Sequence, residues 1–184
     1  MKKIVVVFFI ASIVFSCALL PKKTARIHWP QKIDYIEALC EIDMNWKDMR
    51  YSGSMSLIME YPDRISIEVY SPLGDTIFFL NKYKDYFLLL TGDERFTKEK
   101  GFEDKFNIKI IDFINDIAMR DFKDTSQEKI ELVRDKHRVI YELGSDKNTI
   151  CWKGDEGSIC VRFIEASFKK ASIEKIGKDN SRED

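Results

Sequence analysis

The chain has 184 residues, with 30 Lys and Arg against 31 Asp and Glu, two His and four Cys. At 45% hydrophobic and 33% charged residues it matches neither a disordered chain nor a polytopic membrane protein. A net charge of −1 gives no electrostatic reason to bind nucleic-acid phosphates, and two histidines leave little for a His-based metal site or triad.

Residues 1–16 read as a signal peptide: Lys2 and Lys3 precede an uncharged apolar run over 4–15, followed by Ser16-Cys17. That run is shorter than the ~20 residues a membrane-spanning helix needs. Val14-Phe15-Ser16-Cys17 resembles the bacterial lipobox, with a bulky Phe15 in place of the usual small residue. The resemblance implies that Cys17 is lipidated and begins the mature protein. A diacylglycerol plus an amide-linked acyl chain is enough for stable attachment to membrane lipid. Ala18 follows, where an aspartate would resemble an inner-membrane retention signal. The expected location is the periplasmic face of the outer membrane, with the protein monomeric and lipid-anchored.

After Cys17, the stretch to residue 33 holds Pro21, Lys22, Lys23, Arg26, His28 and Pro30 without periodicity. It reads as a flexible tether, with His28 and Trp29 as linker residues. One domain is expected over 34–176 and a polar tail over 177–184.

A short helix is expected at 33–39, and then period-two alternation dominates. Cys40, Ile42, Met44 and Trp46 alternate with polar residues. Tyr51, Met55, Leu57, Met59 and Tyr61 share one face, with Gly53 leaving a gap in it. Pro62-Asp63 turns the chain into Ile65, Ile67 and Val69. Strands over 77–80 and 86–90 follow, and Gly92-Asp93 signals a hairpin with a return at 95–97. Both 78–80 and 87–90 are apolar on both faces, which predicts that both faces are covered. Ile110, Phe113, Ile114 and Ile117 then fall at helical spacing, opposite Lys109, Asp112, Asn115 and Asp116. Strands resume at 130–133, 139–143, 148–152, 158–164 and 168–176. Five or six strands, a helical interruption and four or five more strands make an antiparallel α+β domain.

A four-residue loop over 154–157 would put Cys151 opposite Cys160, within disulfide range on the outer face beside Arg162. Export to an oxidising compartment favours that bridge. Cys40 alternates with core residues and reads as a buried thiol. No CxxC, Gly-rich phosphate loop, GxSxG elbow or HExxH helix occurs. His137, in Asp135-Lys136-His137-Arg138, reads as part of a polar hairpin turn, and Asp155-Glu156 as a solvated loop. The residues argue for no enzyme, catalytic group, metal or cofactor.

From Arg64 through Ser71-Pro72-Leu73-Gly74 to Leu80, the chain resembles the LolB family of outer-membrane lipoprotein receptors. An amphipathic strand runs into a Pro-Leu-Gly turn and then an apolar strand. The likeness continues over 86–97 and, in element order, covers most of 34–176. It implies a curved, incompletely closed antiparallel sheet, here a half-barrel of about 10–11 strands, with helices plugging its concave face. It also implies an apolar cavity that receives acyl chains of lipoproteins from a LolA-like periplasmic carrier. Pro72, Leu73 and Gly74 would form the membrane-delivery loop, with Leu73 projecting outward, and the helix over 108–119 part of the lid. Candidate cavity residues are Met44, Trp46, Met55, Leu57, Met59, Ile65, Ile67, Phe78, Leu80, Leu88, Ile110, Phe113, Ile114 and Ile117. Unbranched Met suits varied acyl chains. The same fold also serves lipid carriers and sensing domains, so a phospholipid or glycolipid carrier and a non-transport envelope scaffold stay open.

Overall fold

A computed structural model describes residues 27–121, 129–144 and 147–170. The signal peptide, Cys17, the first part of the tether, and the end of the chain beyond 170 lie outside the described residues.

The alternating segments form ten antiparallel strands: β1 (Tyr35–Trp46), β2 (Met49–Glu60), β3 (Arg64–Tyr70), β4 (Thr76–Tyr83), β5 (Tyr86–Thr91), β6 (Glu94–Phe96), β7 (Ile130–Val133), β8 (His137–Glu142), β9 (Thr149–Gly154) and β10 (Gly157–Ser167). They make one sheet in the order β6-β5-β4-β3-β2-β1-β10-β9-β8-β7. Every neighbour except the β1–β10 pair is joined by a tight hairpin or short loop, because antiparallel pairing needs no crossover. The sheet is not closed into a barrel; among the described residues β6 and β7 are its edge strands. It curves around two helices, α1 (Glu99–Phe106) and α2 (Ile110–Ile117), as an open α+β half-barrel.

Alternation decides which side chains enter the concave core. In β1, Ile36, Ala38, Cys40, Ile42 and Trp46 are buried, and in β2 and β3 so are Met55, Leu57, Met59, Ile65, Ile67 and Val69. Burying each such aliphatic side chain is worth roughly 1.5–3 kcal/mol. The convex face carries the intervening polar residues, including the Arg162–Glu41 ion pair. It also carries the Cys151–Cys160 disulfide, which joins directly opposed residues of β9 and β10.

Five expectations change. Residues 33–39 are not helical: Tyr35 to Leu39 pair with β2 and β10, and their alternate side chains are buried, a period-two pattern that a helix could not satisfy. The second half of the expected tether is docked rather than free. Ile27 and Ile33 are buried, and the Trp29 indole packs edge-on against Phe163 with ring centroids 4.9 Å apart while donating to Asn148 Oδ1 at 2.9 Å. The domain therefore begins by residue 27. β10 ends at Ser167, and residues 168–170 do not continue as a strand. His137 is a buried residue that opens β8 rather than a turn residue. Finally, no described element covers the convex side of β4 and β5. Phe79 and Leu90 lie opposite each other there and shield one another, leaving Leu90 36% exposed.

Candidate functional site: an apolar cavity under two helices

The antiparallel order brings the β1–β2, β3–β4, β5–β6, β7–β8 and β9–β10 connections to one end of the sheet. The concave face near that end is hollow. A cavity of about 380 Å³ lies between the sheet and the helices, within the ~300–1,000 Å³ range of small-molecule sites. Its floor is Ile42 and Met44 of β1, Met55 of β2, Ile67 and Val69 of β3, Phe78 and Leu80 of β4, and Ile159 and Val161 of β10. Its roof is Phe102 and Phe106 of α1 and Phe113 of α2. Asp48, Arg50, Thr91 and Gly92, in or beside the end turns, form a polar rim. Two hollows on the convex face reach 430 and 450 Å³ but have more polar walls, which include Glu37 and Glu165 in one and Glu68 in the other.

The roof is an aromatic chain. Ring centroids run from Phe78 to Phe106 at 6.0 Å, Phe106 to Phe102 at 4.8 Å, Phe102 to Phe113 at 5.5 Å and Phe113 to Trp152 at 4.7 Å. Such pairs add about 0.5–1.5 kcal/mol each beyond area burial. Both helices follow from apolar spacing: Phe102 and Phe106 at i, i+4, and Ile110, Phe113, Ile114 and Ile117 on one stripe.

Gly53 has a specific task. A Cβ there would lie 2.8 Å from the Tyr70 carbonyl oxygen and clash with the Tyr51 side chain, which folds across the gap. The Tyr51 hydroxyl donates to that same carbonyl, so an aromatic side chain covers the glycine and forms part of the cavity wall.

Beside the cavity mouth, the β3–β4 loop presents Leu73 to solvent at 91% exposure. The loop is locked. The backbone N–H groups of Leu73 and Asp75 both donate to Ser71 Oγ at 3.2 Å, and Gly74 N–H donates to the Ser71 carbonyl at 2.9 Å. Gly74 has φ +93°, a left-handed conformation that glycine takes without strain.

Of the fourteen candidate lining residues, Met44, Met55, Ile67, Phe78, Leu80 and Phe113 meet in the cavity. Trp46, Leu57, Met59, Ile65, Ile110, Ile114 and Ile117 do not line it. All seven are packed core residues; Trp46, for example, lies against Gly154. Leu88 is on the convex face, because alternation in β5 turns Phe87 and Leu89 inward instead. The sequence reading missed the wall residues Ile42, Val69, Ile159 and Val161, which share its alternation. It also missed Phe102 and Phe106, whose only signal was a single i, i+4 pair.

The other polar concentration is buried. Asp116, expected on the exposed side of α2, is only 1% exposed. Its carboxylate accepts from Arg134 Nε at 3.1 Å and from the Trp152 indole N–H at 3.0 Å. Its carbonyl accepts from the Tyr141 hydroxyl at 3.0 Å. Burial, reinforced by the Asp116 charge, pushes the Tyr141 phenol up. Burial likewise pushes the Cys40 thiol up, which leaves it inert.

Fold and site together define a class: an open antiparallel half-barrel whose concave face and two short helices border an apolar cavity. No protein-family model matches the chain, and no curated protein is detectably similar in sequence.

Proposed function

We propose that the protein is a LolB-like receptor: a lipoprotein anchored in the outer membrane through acylated Cys17 that takes lipoprotein acyl chains into the cavity and inserts them into the membrane. The proposed donor is a LolA-like periplasmic carrier, and the protein performs no bond chemistry. The carrying observation is the apolar cavity opening at the same end of the sheet as the locked, outward-pointing Leu73. An acyl chain of about 14 methylenes loses on the order of 11 kcal/mol in water, at ~0.8 kcal/mol per methylene. An enclosing apolar wall offsets that loss, whereas an exposed patch offsets only part of it.

At about 380 Å³ the cavity lies near the small end of the ~300–1,000 Å³ range of ligand sites, a size for one chain rather than several. A cargo with several chains then needs either sequential seating or displacement of the roof. Mass spectrometry of species co-purifying with the unlipidated protein tests the reading. Bound acylated proteins or lipopeptides support it, free phospholipid favours the carrier alternative, and a protein that is empty and takes up no fluorescent fatty-acyl probe favours the scaffold. Leu73→Glu is expected to fold normally and accept cargo but fail to deliver it to membranes. Wild-type delivery at equal abundance removes Leu73 from the mechanism.

A further inference from the structure

The two halves of the roof are attached differently. α1 is tied to its surroundings by ion pairs whose acidic members are about half exposed, Lys82–Glu99 at 2.7 Å and Lys105–Glu94. Water competes effectively for such pairs. Neither helix has a side-chain N-cap, and α1 ends at Asn107, whose left-handed backbone (φ 55°) separates it from α2. Its buried contacts are Phe102 and Phe106, and both face the cavity. An arriving acyl chain can therefore replace what those rings touch.

α2 is held through buried polar contacts. Asp116 sits in its last turn with the carboxylate fully buried, and donors reach it from two places: Arg134 in the β7–β8 turn and Trp152 in β9. The buried His137 ring places Nε2 3.7 Å from Asp116 Oδ2. Arg134 also pairs with the half-exposed Asp121 at 2.6 Å, but its contact with Asp116 is to a fully buried carboxylate. Hydrogen bonds to Asp116 and Asp121 hold the Arg134 guanidinium firmly charged, against the opposing effect of burial. Apolar contacts alone allow a helix to slide or roll, whereas a buried carboxylate with directional donors does not. Phe113 lies three residues earlier on the same helical face. Its ring rests on Trp152, the residue whose N–H is bound to Asp116.

We propose that Asp116 is a positioning residue for the cavity roof. By orienting Trp152 it seats Phe113 and clamps α2, so that α1 alone yields when an acyl chain enters. The inference rests on the acyl-binding reading of the cavity.

The test uses the whole mature chain carrying Cys17→Ser, which keeps it in solution. Asp116→Asn removes the charge at constant shape. Trp152→Phe deletes the indole N–H together with part of a fully buried ring and is the second variant should the first not fold. Leu57→Ala, in the packed part of the core, is the control for general destabilisation. At matched global stability, Asp116→Asn is expected to speed amide hydrogen exchange in 110–117 and dissociation of a fluorescent fatty-acyl probe by about tenfold or more over the control, the scale of one lost charge-assisted hydrogen bond. Trp152→Phe should likewise exceed the control. The Trp152 indole N–H resonance should move in Asp116→Asn and stay put in Leu57→Ala. Normal probe uptake, with exchange in 110–117 no faster than in the control, overturns the clamp alone. No uptake by the parent chain overturns the acyl-binding reading and the role of the roof with it.

Discussion

The two halves of the concave face are built from the same strands with the same alternation, yet one is hollow and the other solid. Away from the turn-bearing end with Leu73, Ile36, Met59 and Ile65 are completely buried. That half also receives residues 27–33, whose Ile33 N–H donates to the Ala118 carbonyl, together with the C-terminal part of α2. Nearer the turns, α1 reaches the sheet with two rings, and Met44, Tyr51 and Phe78 stay only partly buried. A sheet face becomes core or cavity according to how much chain is laid over it. Protein interiors fill to crystal-like density wherever enough side chains converge.

Deleting volume in each half gives the largest contrast. Leu57→Ala in the packed half should cost about 2–5 kcal/mol, because its surroundings cannot collapse. Val69→Ala on the cavity wall should cost less, since a void already lies on one side of the side chain. Denaturant midpoints at constant slope measure both, and equal losses would erase the distinction between the halves.

Adding volume reverses the order. Val69→Phe should lower affinity for a fluorescent fatty-acyl probe about tenfold or more while changing stability by less than about 1.5 kcal/mol, because the new ring enters empty space rather than a filled core. Unchanged probe binding would mean that the chain does not lie along β3.

The smallest effect concerns pH and lies at the packed end. The hydrogen bond from Lys170, with the charges of Lys170 and Arg64, holds Glu60 below the usual carboxylate range against the opposing effect of desolvation. A carboxylate depressed in the folded state adds stability above its unfolded pKa, and that contribution is lost as pH falls through the folded value. Lys170→Ala should therefore move the Glu60 carboxyl titration, followed by carbon NMR, up toward its ordinary value. Stability should then become slightly less sensitive to acid. A titration that does not move would show that the pair has no effect in solution.

The convex face shows where sequence reading reached too far. Runs apolar on both faces, 78–80 and 87–90, implied cover on both sides. Instead Phe79 and Leu90 lie opposite one another on neighbouring strands and partly shield each other. Lateral pairing within one face is invisible to a rule about which face a residue occupies.

Much was nevertheless decided locally. Period-two alternation located the strands and their buried faces. The Gly154–Gly157 spacing put Cys151 across from Cys160, and the Ile110–Ile117 stripe marked α2. These are nearest-neighbour properties of a backbone with fixed periods. Tertiary structure decided the rest. It buried Asp116, which helical spacing alone assigns to the solvent side, because Arg134 and Trp152 meet it from segments 18 and 36 residues away. It docked Trp29 through Asn148, 119 residues distant. It also selected which inward-facing residues border a void and which fill one. Alternation tells a side chain which way to point, and only the other segments of the folded chain determine what it meets there.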